Sequence, residues 1–211
     1  FAMLFYLLEK LPYYDRYVKD EKYIGDKMFT HFDKHFGELA KMTWGIIGLG
    51  NIGRRVADIA KAFGCRAIYY STSGRNSQPG YERVSFEELL KESDIVSVHA
   101  PLDENTLDLM NKKAFHQMKK TAIFLNLGRG PIVVEEDLAE ALEQGEIAAA
   151  GLDVLRVEPM SPENPLRRIK DSEKLLITPH IAWASVEART RLMEIICGQI
   201  QEFFSNGSPE S

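Results

Sequence analysis

Short apolar runs alternate along most of this chain with stretches in which apolar residues recur at helical spacing. From residue 43 onward, TWGIIGL precedes NIGRRVADIAKAFG, CRAIYYS precedes SFEELLKES, and DIVSVHA precedes NKKAFHQM. The rhythm continues through TAIFLNLG, VVEEDLAEALEQGE, IAAAGLDV, a proline-rich loop over 155–174, KLLITP, and a last helical stretch from about residue 183 to 204. Apolar runs this short, bounded by glycine and polar residues, suit strands covered on both faces. Their alternation with helices predicts an α/β fold: a doubly wound, Rossmann-type parallel sheet of roughly six strands with helices on both sides. Ser85 and Glu88, just ahead of Leu89 and Leu90, make a capping-box pattern that marks a helix start.

The first 42 residues break this rhythm. FAMLFYLLEKLPYYDRYVKD reads as an amphipathic helix whose apolar face is expected to pack on a partner or on protein outside these residues. Residues 21–42 have no clear period and read as a connector. The chain therefore divides into a linker helix and connector over 1–42, a nucleotide-binding domain over 43–182, and a C-terminal helix and tail over 183–211, with SNGSPES a loose end. Opening on Phe1 rather than Met carries the expectation that further sequence precedes it.

Composition narrows the function classes. The 211 residues are 45% hydrophobic and 27% charged, enough for one substantial core. A net charge of -5 with both signs interspersed offers no basic field for a nucleic-acid partner. No apolar run approaches the ~18 residues of a membrane span, and no basic segment with a cleavage site opens the chain. Cys65 and Cys197 lie far apart in apolar segments, which fits buried free thiols in a reducing, cytoplasmic compartment.

The most specific chemistry sits at GIIGLGNIG. Gly48, Gly50 and Gly53 fall between a strand and a helix within one βαβ unit, the context of a dinucleotide fingerprint. Gly48 permits the tight turn, Gly50 lets a pyrophosphate approach the backbone, and Gly53 allows close packing of helix on strand. The helix N-terminus that follows faces the anion. The second strand of such a unit normally ends in an Asp or Glu that binds the adenine ribose and repels a 2′-phosphate. Here that place falls at Tyr70 or Ser71. Ser71, Thr72, Ser73 and Arg75 instead offer hydroxyls and a guanidinium, so NADP is expected to be admitted, with NAD the alternative.

With TWGIIGLGNIG, HAPL, FLNLGRGPIVVEEDLAEAL, GLDVLRVEP and ITPHIAW in this order, the sequence resembles the D-2-hydroxyacid dehydrogenases, a group that includes glyoxylate/hydroxypyruvate reductases and phosphoglycerate dehydrogenases. The resemblance implies a two-domain enzyme whose substrate domain lies largely outside these residues. It also implies homodimerisation, because an equivalent of the N-terminal helix links the domains and joins a dimer interface. It assigns Arg129 to substrate binding, Glu158 as the acidic partner, and His180 as acid/base. Asp153 would hold the nicotinamide carboxamide, and His99, Ala100 and Pro101 would line the adenosine half. Asn51 and Ile52 would offer backbone amides to the pyrophosphate, Thr106 would touch a phosphate, and Leu127 and Gly128, with Arg129, would pass near the nicotinamide ribose. His31, His35 and His116 match no motif, and no metal site is implied.

The chemistry of these residue types agrees with that assignment. Reducing a 2-oxo acid requires a hydride at the carbonyl carbon and a proton at its oxygen, and histidine changes charge most readily near neutral pH. A neighbouring carboxylate stabilises the imidazolium, while an arginine pairs with the substrate carboxylate and polarises the carbonyl. The expected function is hydride transfer between NAD(P)H and a small 2-oxo acid such as glyoxylate or hydroxypyruvate. A dinucleotide-sensing corepressor of the same fold and a phosphoglycerate dehydrogenase are the alternatives.

Overall fold

The computed structural model describes residues 1–75 and 77–205. In chain order its elements are helices α1 (Ala2–Leu8) and α2 (Leu11–Lys19), strand β1 (Thr43–Ile47), helix α3 (Asn51–Ala62), strands β2 (Arg66–Tyr70) and β3 (Glu82–Arg83), and helix α4 (Phe86–Glu92). There follow strand β4 (Ile95–Val98), helix α5 (Lys112–Gln117), strand β5 (Ile123–Asn126), helix α6 (Glu135–Gln144), strands β6 (Ala149–Leu152) and β7 (Leu175–Ile177), and helix α7 (Val186–Ser205). Two compact units result, residues 1–177 and the segment from Thr178 onward.

The first unit is built on a seven-stranded sheet in the order β3-β2-β1-β4-β5-β6-β7, parallel throughout. Strand order reverses between β1 and β4, the switch point where doubly wound sheets open a crevice at their carboxyl ends. The strand beyond the expected six is β3. It has two exposed residues, Glu82 and Arg83, and no apolar alternation to reveal it.

Alternate strand residues feed two cores. Trp44, Ile46 and Tyr69 join Ala57 and Ala60 of α3 on one face. Ile47, Ile68 and Val98 join Leu89, Leu90, Phe115, Leu138 and Leu142 on the other. The expectation that α1 packs on a partner is corrected here, since its Leu4 and Leu7 are fully buried against this chain's own sheet. Gly151 of β6 makes room for α1. A Cβ built there would come within 2.9 Å of Leu125 Cδ2 and 3.4 Å of Leu7 Cδ1.

The capping box at α4 is formed in full. Glu88 N–H donates to Ser85 Oγ (3.2 Å), and Ser85 N–H donates to Glu88 Oε2 (2.9 Å). In the second unit α7 begins later than expected, because Ser185 Oγ accepts from Ala188 N–H (3.2 Å) and holds the entry to the helix. Both cysteines are free, but only Cys65 is buried; Cys197 is exposed on α7, contrary to expectation. Among the described residues no helix is long and apolar enough to cross a membrane. The tail from residue 206, and Asn76, lie outside the described residues.

Candidate functional site

The glycine turn leaves β1 at the switch point, and each glycine has its own steric reason. Gly48 adopts φ 90°, and a Cβ on it would lie 2.8 Å from the Ala100 backbone. Its N–H donates to Tyr70 O (3.0 Å), tying the turn to the end of β2. A Cβ on Gly53 would lie 2.2 Å from Gly48 O, so the first turn of α3 rests directly on the loop. Around Gly50, by contrast, a Cβ would meet nothing within 4 Å. Packing does not require a glycine there. Together with an α3 N-terminus that no side chain caps, the open backbone fits a diphosphate.

Asn51 and Ile52 are exposed at this helix start, with Ile52 69% exposed. Arg54, which the sequence reading passed over, donates through Nη2 to Asn51 Oδ1 (2.6 Å) and so places a cation in the first turn of α3. Its signal was present as an arginine directly after the last of the three glycines.

At the end of β2, Ser71 is 2% exposed, so its hydroxyl is turned inward and does not present itself to a 2′-phosphate as expected. Thr72 is half-buried, and Ser73 and Arg75 are exposed. Gly74 N–H donates to Ser71 O (3.1 Å) and Arg75 N–H to Ser73 Oγ (3.3 Å), which closes the turn. A second guanidinium reaches the same turn, for Arg83 of β3 donates to Gly74 O (2.9 Å). No periodicity points to it, because β3 is two exposed residues long.

After β4, His99 is mostly buried, Ala100 is buried against Gly48, and Pro101 is exposed. Burial depresses the His99 imidazole to about 4, so it is neutral at physiological pH. Thr106 corrects another expectation. It is fully buried, its Oγ1 donates to Pro101 O (2.7 Å) and accepts from Asp103 N–H (2.8 Å), and this leaves the hydroxyl stabilising its own turn rather than facing a phosphate.

Two loops meet beyond β5 and β6. Buried Asn126 organises the first: its Nδ2 donates to Arg129 O (2.9 Å), and its Oδ1 accepts from Gly128 N–H (3.0 Å). Leu127 and Gly128 are half-buried and Arg129 is exposed, with Nη1 donating to Gly128 O (2.8 Å). The next residue, Gly130, seats this loop on the second one. A Cβ on Gly130 would fall 1.8 Å from Leu155 O. Asp153 directly follows β6 and is 2% exposed. Glu158 is exposed, and one of its oxygens accepts from Leu155 N–H (2.7 Å).

Glu135, also unnoticed in the sequence, braces that second loop. It is buried at the start of α6, where it accepts from Arg156 N–H (2.7 Å) and from Asn164 Nδ2 (2.8 Å). The Arg156 guanidinium pairs with Asp108 (2.6 Å), which raises its basicity further. Thus the first unit brings the loops of Arg129 and Glu158 into contact. His180 belongs to the second unit, where it is exposed at φ 54° and its N–H donates to Thr178 O (2.9 Å). Histidine is among the residues that enter this left-handed region more readily than most.

Comparison with known proteins adds the following. Residues 1–182 match the family model described as "D-isomer specific 2-hydroxyacid dehydrogenase, NAD binding domain". The hydroxypyruvate reductase of Blautia hydrogenotrophica is 37% identical over 213 residues, an alignment that covers 99% of this chain and 64% of that protein. Among solved structures, the D-lactate dehydrogenase of Aquifex aeolicus complexed with NAD and lactic acid superposes with a TM-score of 0.87 at 26% identity, over 97% of this chain and 64% of that one. The acyclic imino acid reductase Bsp5, in complex with NADPH and D-Arg, gives a TM-score of 0.83 at 30% identity, over 97% and 63%. The chain therefore spans a little under two thirds of the length of these relatives.

Proposed function

From the premise that the chain belongs to the D-isomer specific 2-hydroxyacid dehydrogenase family and carries its NAD-binding domain, we propose that it is the nucleotide-binding and catalytic portion of an enzyme that reduces a small 2-oxo acid, glyoxylate or hydroxypyruvate, with NADH or NADPH. The observation that carries this reading is the seating of Gly130 on Leu155, which sets the loops of Arg129 and Glu158 side by side at the carboxyl edge of the sheet.

Gly48, Gly50 and Gly53 shape the turn that holds the diphosphate, with Arg54 adding charge. When bound, the reduced nicotinamide supplies the hydride. Arg129 pairs with the substrate carboxylate and polarises the carbonyl, which stabilises the negative charge that develops on its oxygen. The family resemblance gives His180 the donation of the proton to that oxygen and Glu158 the role of the carboxylate that favours an imidazolium. Asp153 orients the nicotinamide end. Thr72, Ser73 and Arg75 admit a 2′-phosphate. The two free thiols fit a cytoplasmic enzyme, and family membership supports a homodimer.

The direct test follows NADH and NADPH oxidation by the full-length protein with glyoxylate, hydroxypyruvate and pyruvate. Turnover with at least one of them is expected. Dinucleotide binding without turnover on any 2-oxo acid would overturn the enzyme reading and leave a dinucleotide sensor. His180→Ala is expected to lower kcat by a factor on the order of 10²–10⁴ with dinucleotide affinity nearly intact. Wild-type turnover in that variant would remove His180 from the mechanism.

A further inference from the structure

A hydrogen-bond chain runs through the core to His99, just beyond the carboxyl end of β4. Trp44 and Ser97 are each 1% exposed, on the neighbouring strands β1 and β4. Trp44 Nε1 lies 2.8 Å from Ser97 Oγ, which lies 3.0 Å from His99 Nε2. The direction of these bonds follows from what each group can do. An indole N–H only donates, so Ser97 Oγ accepts from Trp44. The Ser97 hydroxyl then has one proton of its own and no acceptor for it among the described residues except His99 Nε2. Leaving that buried proton unpaired would cost the full desolvation of the group. His99 Nε2 must therefore accept, and the ring proton must reside on Nδ1. Among the described residues Nδ1 has no hydrogen-bond partner.

The residue also stands beside the glycine turn. His99 N–H donates to Ile47 O (2.8 Å), and the next residue, Ala100, lies against the Gly48 turn. We infer that Trp44 and Ser97 are positioning residues for dinucleotide binding: their hydrogen-bond chain fixes His99 as the Nδ1–H tautomer and so provides a preset donor for an acceptor on the adenosine half of the cofactor. This inference rests on the proposed function in taking the crevice to be the dinucleotide site, and on the family resemblance in setting the adenosine half beside His99. A preset donor loses less freedom on binding than a ring that exchanges between tautomers. It also selects for an acceptor, such as an adenine ring nitrogen or a ribose oxygen, over a donor.

The test has two readouts on the same protein. Imidazole ¹⁵N spectra of the chain at pH 7, without cofactor, are expected to show His99 protonated at Nδ1 and bare at Nε2. Ser97→Ala is expected to move the proton to Nε2 or to mix the tautomers, and Ser97→Thr, which keeps the hydroxyl, to restore the wild-type pattern. In parallel, Ser97→Ala and Trp44→Phe are expected to raise the NADH dissociation constant about three- to tenfold and to leave that of nicotinamide mononucleotide unchanged. An Nε2–H ring in the wild type, or an unchanged NADH affinity in Ser97→Ala, overturns the inference while the crevice assignment stands. A wild-type Nδ1–H ring in a protein that binds no dinucleotide overturns the crevice assignment, and with it the role given to the chain of bonds.

Discussion

The turn leaving β1 and the turn leaving β2 stand on adjacent strands, yet they are specified in opposite ways. Around the first, backbone touches backbone: a Cβ on Gly48 would meet Ala100 at 2.8 Å, and one on Gly53 would meet Gly48 O at 2.2 Å. Around the second, a Cβ on Gly74 would meet nothing within 4 Å, and Ser73 and Arg75 point to solvent. On the proposed function, recognition of a diphosphate, common to both nicotinamide dinucleotides, falls to the packed turn, and discrimination at the 2′ position to exposed side chains that can change without disturbing the sheet. The difference separates stability from specificity, and each prediction below probes that separation.

The largest effect is expected at the glycines of the first turn, and two of them should part company. Gly53→Ala drives a methyl into Gly48 O, where neither group can move without lifting α3 off the loop. Overpacking of this kind costs about 1–3 kcal/mol or more, so both the thermal midpoint and dinucleotide affinity are expected to fall. Gly50→Ala meets no protein atom and has an ordinary φ of -79°. Its thermal midpoint is expected to stay near wild type while the dinucleotide dissociation constant rises about tenfold or more. Calorimetric melting and fluorescence titration of the two variants separate these effects, and equal losses of stability in both would break the distinction between packed and open glycines.

A smaller effect is expected at the end of β4, where a titratable side chain is largely buried beside the backbone turn. His99 has its folded-state value lowered to about 4 by burial, against about 6.5 in an unfolded chain. Between those limits the unfolded state binds more protons, so stability rises with pH and is lost as pH falls from about 6.5 toward 4. At about 1.4 kcal/mol per pH unit the loss is at most about 3 kcal/mol at pH 4. Urea unfolding of wild type and His99→Gln at pH 7, 5.5 and 4.5 measures it. The wild type is expected to lose stability relative to the variant across this range, and parallel curves would show that the imidazole is not as buried as its surroundings imply.

The same contrast explains what could be read from the sequence. Gly48 and Gly53 were legible because a backbone collision leaves glycine as its trace, and Ser85 with Glu88 because a capping box is local. Arg129, Glu158 and His180 were reached through ordered motifs. Trp44 and Ser97 were not, since their pairing depends on the register of β1 against β4, which places Ile46 opposite Ser97 and Trp44 on the same face. Glu135 escaped for a similar reason: its partners Arg156 and Asn164 lie more than twenty residues away. An amphipathic pattern says that a helix face is covered but not by what, and α1 turned out to be covered by its own sheet. Thr106 shows the converse limit, because a hydroxyl near a loop serves its own turn as readily as a ligand.

The smallest effect is expected at the second turn, and it is the one that most sharpens the comparison. Arg75 is exposed and, among the described residues, Arg83 is anchored only to Gly74 O, so neither supports the core. Hydrogen bonds to a charged group are worth about 1.5–3 kcal/mol when sheltered, and exposed charge pairs about 1 kcal/mol or less. Arg75→Ala is therefore expected to lower the preference for NADPH over NADH about tenfold, and Arg83→Ala, whose guanidinium is partly engaged by the turn, about threefold. Both variants are expected to melt with the wild type and to bind NADH unchanged. Side-by-side NADH and NADPH titrations at one ionic strength provide the measurement, since screening alone shifts the affinity for the extra phosphate. An unchanged preference in the Arg75→Ala, Arg83→Ala double variant would mean that the 2′ position is read elsewhere. A fall in NADH affinity as large as that for NADPH would mean that the second turn, like the first, serves the whole dinucleotide.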